Sequence, residues 1–172
     1  MWRHDRTGPA GRRATVLVLV AAGMVLLVSG CSGASAKTAS GARAASGQRV
    51  EVMASSISGM GTVLVTSKGY ALYMFQPDNR RAVTCTGTCA GTWPPLMLPS
   101  GATLVAGPGV RASLLGSDPD PSGGRVATYD GWPLYTYSGD IQPGQATGQS
   151  IDLNGGVWYV LSTSGQPEIP QP

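Results

Sequence analysis

Residues 69–78 read GYALYMFQPD and residues 131–140 read GWPLYTYSGD, and the two align without a gap at an offset of 62. Gly69, Leu72, Tyr73 and Asp78 meet identical residues at Gly131, Leu134, Tyr135 and Asp140. Aromatic character is kept where Tyr70 meets Trp132 and Phe75 meets Tyr137. This duplication constrains the fold more than any other feature. A short unit that occurs twice must bury its apolar face against its own copy, because neither copy has a sufficient core alone.

Each copy carries the same local pattern. A strand-like run precedes it, Thr62 to Thr66 in the first and Arg125 to Tyr129 in the second. A turn follows, at Ser67-Lys68-Gly69 and at Asp130-Gly131, where a tight hairpin needs positive φ. After the repeated block comes a polar, Gly-rich loop. It leads to a tryptophan entering an apolar run, at Trp93-Pro-Pro-Leu-Met-Leu and at Trp158-Tyr-Val-Leu. Period-two alternation puts Tyr73 and Phe75 on one face of the strand and Leu72 and Met74 on the other. Tyr135 and Tyr137 oppose Leu134 and Thr136 in the same way.

The expected fold is all-β. It is a small domain of two similar three-stranded repeats, at about 60–98 and 124–163, packed with approximate twofold symmetry. At most one short helical turn is expected, at Val110 to Leu115. The Asp118-Pro-Asp-Pro-Ser-Gly-Gly run reads as the loop that joins the halves.

The termini read differently. Arg3, Arg6, Arg12 and Arg13 precede an uncharged, apolar or small stretch from Ala14 to Val28, which is the layout of a secretory signal over residues 1–30. Val28-Ser29-Gly30-Cys31 closes it and resembles the bacterial lipobox. That resemblance implies cleavage before Cys31 and a diacylglycerol on its sulfur, giving a stable two-chain anchor in the cell membrane on the extracytoplasmic face. Residues 31–50 are expected to be a lipidated flexible tether. SGASAKTASGARAASGQR has no aliphatic residue larger than Ala, and its eighteen residues reach roughly 20–25 Å. The β domain is placed at 51–165, with 166–172 as a disordered tail.

Removing the first thirty residues changes the chemistry on offer. From Cys31 onward there are eight Lys or Arg and eight Asp or Glu, so a basic nucleic-acid surface is not supported. The single histidine, His4, falls in the signal. The remaining 142 residues therefore hold no Ser-His-Asp or Cys-His apparatus and no His-ligated zinc or haem. No P-loop or dinucleotide fingerprint occurs, and no cofactor is expected.

Three constellations invite a functional reading. The aromatic and acidic residues Tyr73, Phe75, Asp78, Trp93, Tyr135, Tyr137, Asp140 and Trp158 are candidate ligand or motif residues. Aromatic faces stack on sugars or other planar groups, and an aspartate accepts their hydrogen bonds. The same residues also serve as a recipe for building a sheet, with each aspartate binding turn amides. Cys85 and Cys89 are expected to form a disulfide, since an exported chain with two remaining cysteines pairs them. The alternative is envelope redox chemistry or copper handling, with Met53, Met60, Met74 and Met97 as soft ligands. Finally, Asp78 with Asp140 could form a hydrolytic carboxylate pair, depending on their separation. Asp118, Asp120 and the Asp152-Leu-Asn154-Gly run lack a calcium-loop pattern.

The sequence Tyr73-Met-Phe75-Gln-Pro-Asp78, then Cys85-Thr-Gly-Thr-Cys89, then Trp93-Pro-Pro-Leu96 resembles a family of predicted bacterial lipoproteins with tandem secreted repeats of unknown function. Pro133-Leu-Tyr135-Thr-Tyr137-Ser-Gly-Asp140 with Gly155-Gly-Val-Trp158 is similar to its second repeat. The resemblance spans roughly residues 60–163. It implies an exported, lipid-anchored domain and carries no activity with it. The expected role is non-enzymatic, binding an envelope component or protein partner or serving structurally.

Overall fold

The computed structural model describes residues 47–80 and 82–170. The signal, Cys31 and nearly all of the tether lie outside the described residues. Among those described, no helix is long and apolar enough to cross a membrane.

Among the described residues ten strands form in chain order: β1 Arg49–Ile57, β2 Gly61–Thr66, β3 Tyr73–Phe75, β4 Met97–Leu98, β5 Thr103–Ala106, β6 Leu115–Pro119, β7 Arg125–Tyr129, β8 Trp132–Pro133, β9 Asp152–Leu153 and β10 Gly156–Val160. They make three small sheets, ordered β2-β1-β5, β3-β10-β9 and β4-β7-β6, with β8 paired to β7. Backbone bonds stitch the sheets together. Leu64 N–H donates to Leu161, Leu161 N–H to Leu72, and Leu72 N–H back to Leu64.

The two repeats trade strands. β10 of the second repeat pairs antiparallel with β3 of the first, and β4 of the first pairs with β7 of the second. At the junction Tyr73 N–H donates to Tyr135 C=O at 2.8 Å and Tyr135 N–H returns to Tyr73 C=O at 3.0 Å. Neither repeat is therefore a finished sheet on its own.

Strand alternation decides what packs where. Val63, Val65, Tyr73, Phe75, Val126, Trp158 and Val160 join one buried cluster, and Leu64, Leu72, Met74, Ala127, Tyr129 and Leu161 join the other. Both faces of the central strands are thus buried, and so they read as nearly continuous apolar runs. The turns form as the sequence predicts. Asp130 and Gly131 have φ of 50° and 81°, as a two-residue hairpin between twisted strands demands.

Four sequence expectations change. First, β1 begins at Arg49, inside the stretch read as tether, and Arg49 and Val50 pair with Thr103 and Leu104 of β5 in a parallel ladder. Strand pairing needs backbone amides and not large side chains, so composition misplaced this boundary. Second, the inter-repeat segment is part of the core. Leu104, Val110, Leu114 and Leu115 pack on the second cluster, and Asp118 and Pro119 belong to β6, while the helical turn expected within 110–115 forms as a 3₁₀ turn at Ala112–Leu114. Third, the C-terminal residues are held to the sheet as far as Glu168. Ser162 N–H donates to Gln166 C=O, and Glu168 N–H to Val160 C=O. Fourth, more than the one expected helical turn forms: a 3₁₀ turn spans Gln76–Asp78 in front of the first repeat's loop, and the cystine loop contains a short helix, α1 Thr88–Thr92.

Candidate functional site

The repeated residues meet in the middle of the first cluster. Tyr73, Tyr135, Trp93 and Trp158 are fully buried, Phe75 is 3 % exposed, Asp78 1 % and Asp140 5 %. Tyr137 is half-buried at the cluster's edge.

Their polar groups are crossed between repeats. Tyr73 Oη donates to Asp140 Oδ2 at 2.7 Å, and Tyr135 Oη donates to Asp78 Oδ2 at 2.7 Å. Each tyrosine thus reaches the aspartate of the opposite unit. The other carboxylate oxygen is used in the same way on both sides. Asp78 Oδ1 accepts from Thr84 N–H at 2.8 Å and Thr84 Oγ1 at 2.5 Å. Asp140 Oδ1 accepts from Thr147 N–H at 2.8 Å and Thr147 Oγ1 at 2.7 Å. Tyr73 Oη also accepts from Gly148 N–H at 3.1 Å. Each aspartate therefore fixes the loop that follows it and, through a phenol, the other repeat.

The aromatic rings form a continuous stack. Trp93 and Trp158 lie face to face, 4.0 Å apart and 1° from parallel. Phe75 stacks on Trp158 at 4.2 Å and Tyr137 stacks on Trp93 at 4.2 Å. The order Phe75–Trp158–Trp93–Tyr137 alternates rings from the two repeats. Tyr73 meets Trp93 edge-on at 5.3 Å, and Tyr135 meets Trp158 edge-on at 5.2 Å, placing positive ring edges on negative faces. Trp158 Nε1 donates to Leu153 C=O, whereas buried Trp93 Nε1 and Trp132 Nε1 have no acceptor in the structure.

Burial sets the protonation chemistry. It pushes both phenols, Tyr73 and Tyr135, well above the ordinary tyrosine range, and the carboxylate each one binds pushes the same way. Burial also raises Asp78 above the ordinary carboxylate range, opposed by its bonds to Thr84 and Tyr135. None of these groups is placed to reach a substrate in solution. Asp78 and Asp140, read from sequence as a conceivable hydrolytic pair, have both oxygens occupied by protein donors. Tyr73, Phe75, Tyr135, Trp93 and Trp158 present no open face for stacking a ligand.

Cys85 and Cys89 form a disulfide with a Cα–Cα distance of 5.2 Å. Both are buried, at 1 % and 8 % exposure. The bridge closes the loop next to Thr84. The corresponding loop of the second repeat is held instead by Gln149, whose Oε1 accepts from Val160 N–H and whose Nε2 donates to Glu168 C=O. The methionines are spread out. Met53 and Met60 flank the first cluster, Met74 is buried in the second, and Met97 is on the surface. Among the described residues no group of three or more His, Cys, Asp or Glu is arranged to hold a metal ion. Asp120 caps a turn by accepting from Ser122 N–H, and Asp118 and Asp152 lie in β6 and β9.

Sequence reasoning missed Thr84 and Thr147. The available clue was a threonine six and seven residues after the two repeated aspartates.

A model of a family described as a secreted repeat of unknown function matches residues 55–97 and 118–162. The chain belongs to this family. Its two matched segments each contain one tyrosine and one aspartate of the crossed network, so the secreted repeat is a half-unit that needs its copy to complete the core. Membership makes this an exported protein. No curated protein and no solved structure matches the chain.

Proposed function

We propose that this secreted-repeat protein is a lipid-anchored lipoprotein of the cell envelope, whose β domain acts by binding or by structural presence and not by catalysis. The observation that carries this reading is the fate of the repeated polar residues. Tyr73, Asp78, Tyr135 and Asp140 are all consumed by hydrogen bonds inside the core. A duplicated motif spent on joining two halves supports a building role for it. The absence of histidine after residue 4 supports the same reading from the sequence side. The anchor rests on Val28-Ser29-Gly30-Cys31 and the basic, then apolar, stretch before it.

Intact-mass analysis of the native protein tests the anchor. The first residue is expected to be Cys31 carrying a diacylglycerol, and Cys31→Ser is expected to shift the protein out of the membrane fraction. An N-terminus well upstream of Cys31, or an unacylated Cys31, overturns the reading.

A further inference from the structure

Where the first repeat turns from β2 toward β3, the surface holds a cleft of about 460 Å³. Its volume lies in the range of small-ligand sites. Arg49 and Glu51 line it from β1, Lys68 and Tyr70 from the turn after β2, and Tyr137 and Ser138 from the second repeat. Val50 and Leu96 supply apolar lining. Arg49, Lys68 and Ser138 are exposed, and Tyr70 and Tyr137 are half-buried. Among the described residues neither Arg49 nor Lys68 is ion-paired.

The repeat itself provides the comparison. At the offset of 62, Lys68 and Tyr70 correspond to Asp130 and Trp132, and Thr136 and Tyr137 correspond to Met74 and Phe75. In the second half this location is filled. Arg80 pairs with Asp130 at 2.9 Å and lies 5.3 Å over the Trp132 ring, while Met74 and Phe75 are buried. The first-half counterpart of Arg80 is Gln142, an exposed residue whose N–H is bound to the Gln145 side chain. One architecture is thus closed at one end with apolar and paired groups and left open at the other, where two cations, two phenols and hydroxyls stand beside Glu51 and beside Asp140, whose carboxylate is already bound by Tyr73 and Thr147. The demands of the fold do not explain the open end, since the closed end satisfies them.

We propose that this cleft binds a glycan that carries a carboxylate. Tyr70 and Tyr137 offer faces for the C–H surface of a pyranose. Thr136 and Ser138 exchange hydrogen bonds with sugar hydroxyls, and Arg49 and Lys68 take the carboxylate by charge-assisted bonds. Glu51 accepts from neighbouring sugar hydroxyls. The proposal deepens the binding role above and rests on it.

The test is calorimetric and NMR titration of the intact protein with an oligogalacturonate, beside a neutral oligogalactoside of equal length. Binding of the acidic oligomer is expected, with shifts at residues 66–70 and 136–138. An Arg49→Ala, Lys68→Ala variant is expected to bind about tenfold or more weakly, the loss of charge-assisted bonds, with unfolding midpoint unchanged. Tyr70→Ala is expected to weaken both sugars. Equal binding of the neutral oligomer, undiminished binding by the variants, or no shift at millimolar acidic oligomer overturns the proposal. Cleavage of the bound probe would support the cleft and overturn the non-catalytic reading. An intact, unbound probe would overturn the cleft and leave the anchored scaffold standing.

Discussion

Tyr135→Phe removes one oxygen from the protein interior and leaves Asp78 Oδ2 without its donor. The ring remains, so stacking and volume change little, and the loss is electrostatic. A hydrogen bond to a charged group contributes about 1.5–3 kcal/mol, and an orphaned buried acceptor adds desolvation cost. Asp78 keeps Thr84 N–H and Oγ1 on its other oxygen. It is therefore not stripped as a fully unpaired buried charge would be, which would cost about 3–5 kcal/mol. We expect about 2–3 kcal/mol at pH 8. The loss depends on pH with a definite sign. Burial already raises Asp78, so its ionisation lowers native stability as pH climbs above the ordinary carboxylate value of about 4. Without the Tyr135 hydroxyl the folded-state pKa rises further, because that bond favours the charged form. At pH 2, well below the ordinary carboxylate value, the carboxyl is neutral and only about 1 kcal/mol is lost. Urea unfolding followed by tryptophan fluorescence at both pH values measures this, with an unchanged m-value as the control. In an Asp78→Asn background the same substitution should cost less than alone. A loss below about 0.5 kcal/mol, or a loss equal at both pH values, refutes the crossed network as a carboxylate–phenol device.

Further tests address the rest of the core. Tyr73 and Tyr135 are held protonated above the ordinary phenol range. Unfolding ionises them, so their stabilisation is complete below pH of about 10 and falls above it by about 1.4 kcal/mol per pH unit for each. Alkaline unfolding monitored at the tyrosinate absorbance band should show a cooperative step, and gradual tyrosine titration in the folded protein would contradict it. Gly148→Ala places a Cβ 2.7 Å from Trp93 Cη2 and 3.0 Å from Tyr73 Cε1. Those rings are locked in the stack, so a loss of about 2–3 kcal/mol is expected, whereas Gly91→Ala meets nothing within 4 Å and should be neutral or stabilising in denaturant melts. Reduction of Cys85–Cys89 should cost about 2 kcal/mol for so short a loop, and the buried sulfurs should resist reductant until urea opens the domain. Rapid thiol release from the native state would favour redox chemistry. Arg80→Ala loses a half-exposed ion pair and its place over Trp132, so about 1 kcal/mol is expected in the same assay.

The elements most legible in sequence were those whose rules are local. Period-two alternation assigned Tyr73 and Phe75 to one face and Leu72 and Met74 to the other, and the structure places them in separate clusters. Asp130-Gly131 marked its turn because only positive φ fits there. The elements that escaped depend on distant partners. β5 and β6 have weak local patterns and form because β1 and β7 offer open edges. Arg49 and Val50 look like tether until Thr103 and Leu104 arrive beside them. For the candidate site, sequence selected the repeated aromatics and aspartates but placed a surface reading beside the structural one, since alternation cannot say whether a face is covered. It passed over Arg49, Lys68 and Tyr70 because no motif joins them.

The amino-acid sequence alone determined that two like units must share one core, that the chain is rich in turns and strands, and that no imidazole chemistry follows residue 4. It did so through identity of residues, period and composition, which need no neighbours to be read. Only the tertiary structure decided that the units exchange strands, that each phenol reaches the other unit's aspartate, and that one end of the architecture closes while the other stays open. Those outcomes depend on which groups come within hydrogen-bonding distance across sixty residues of chain, about the spacing of the two repeats, and that is set by packing and not by local propensity.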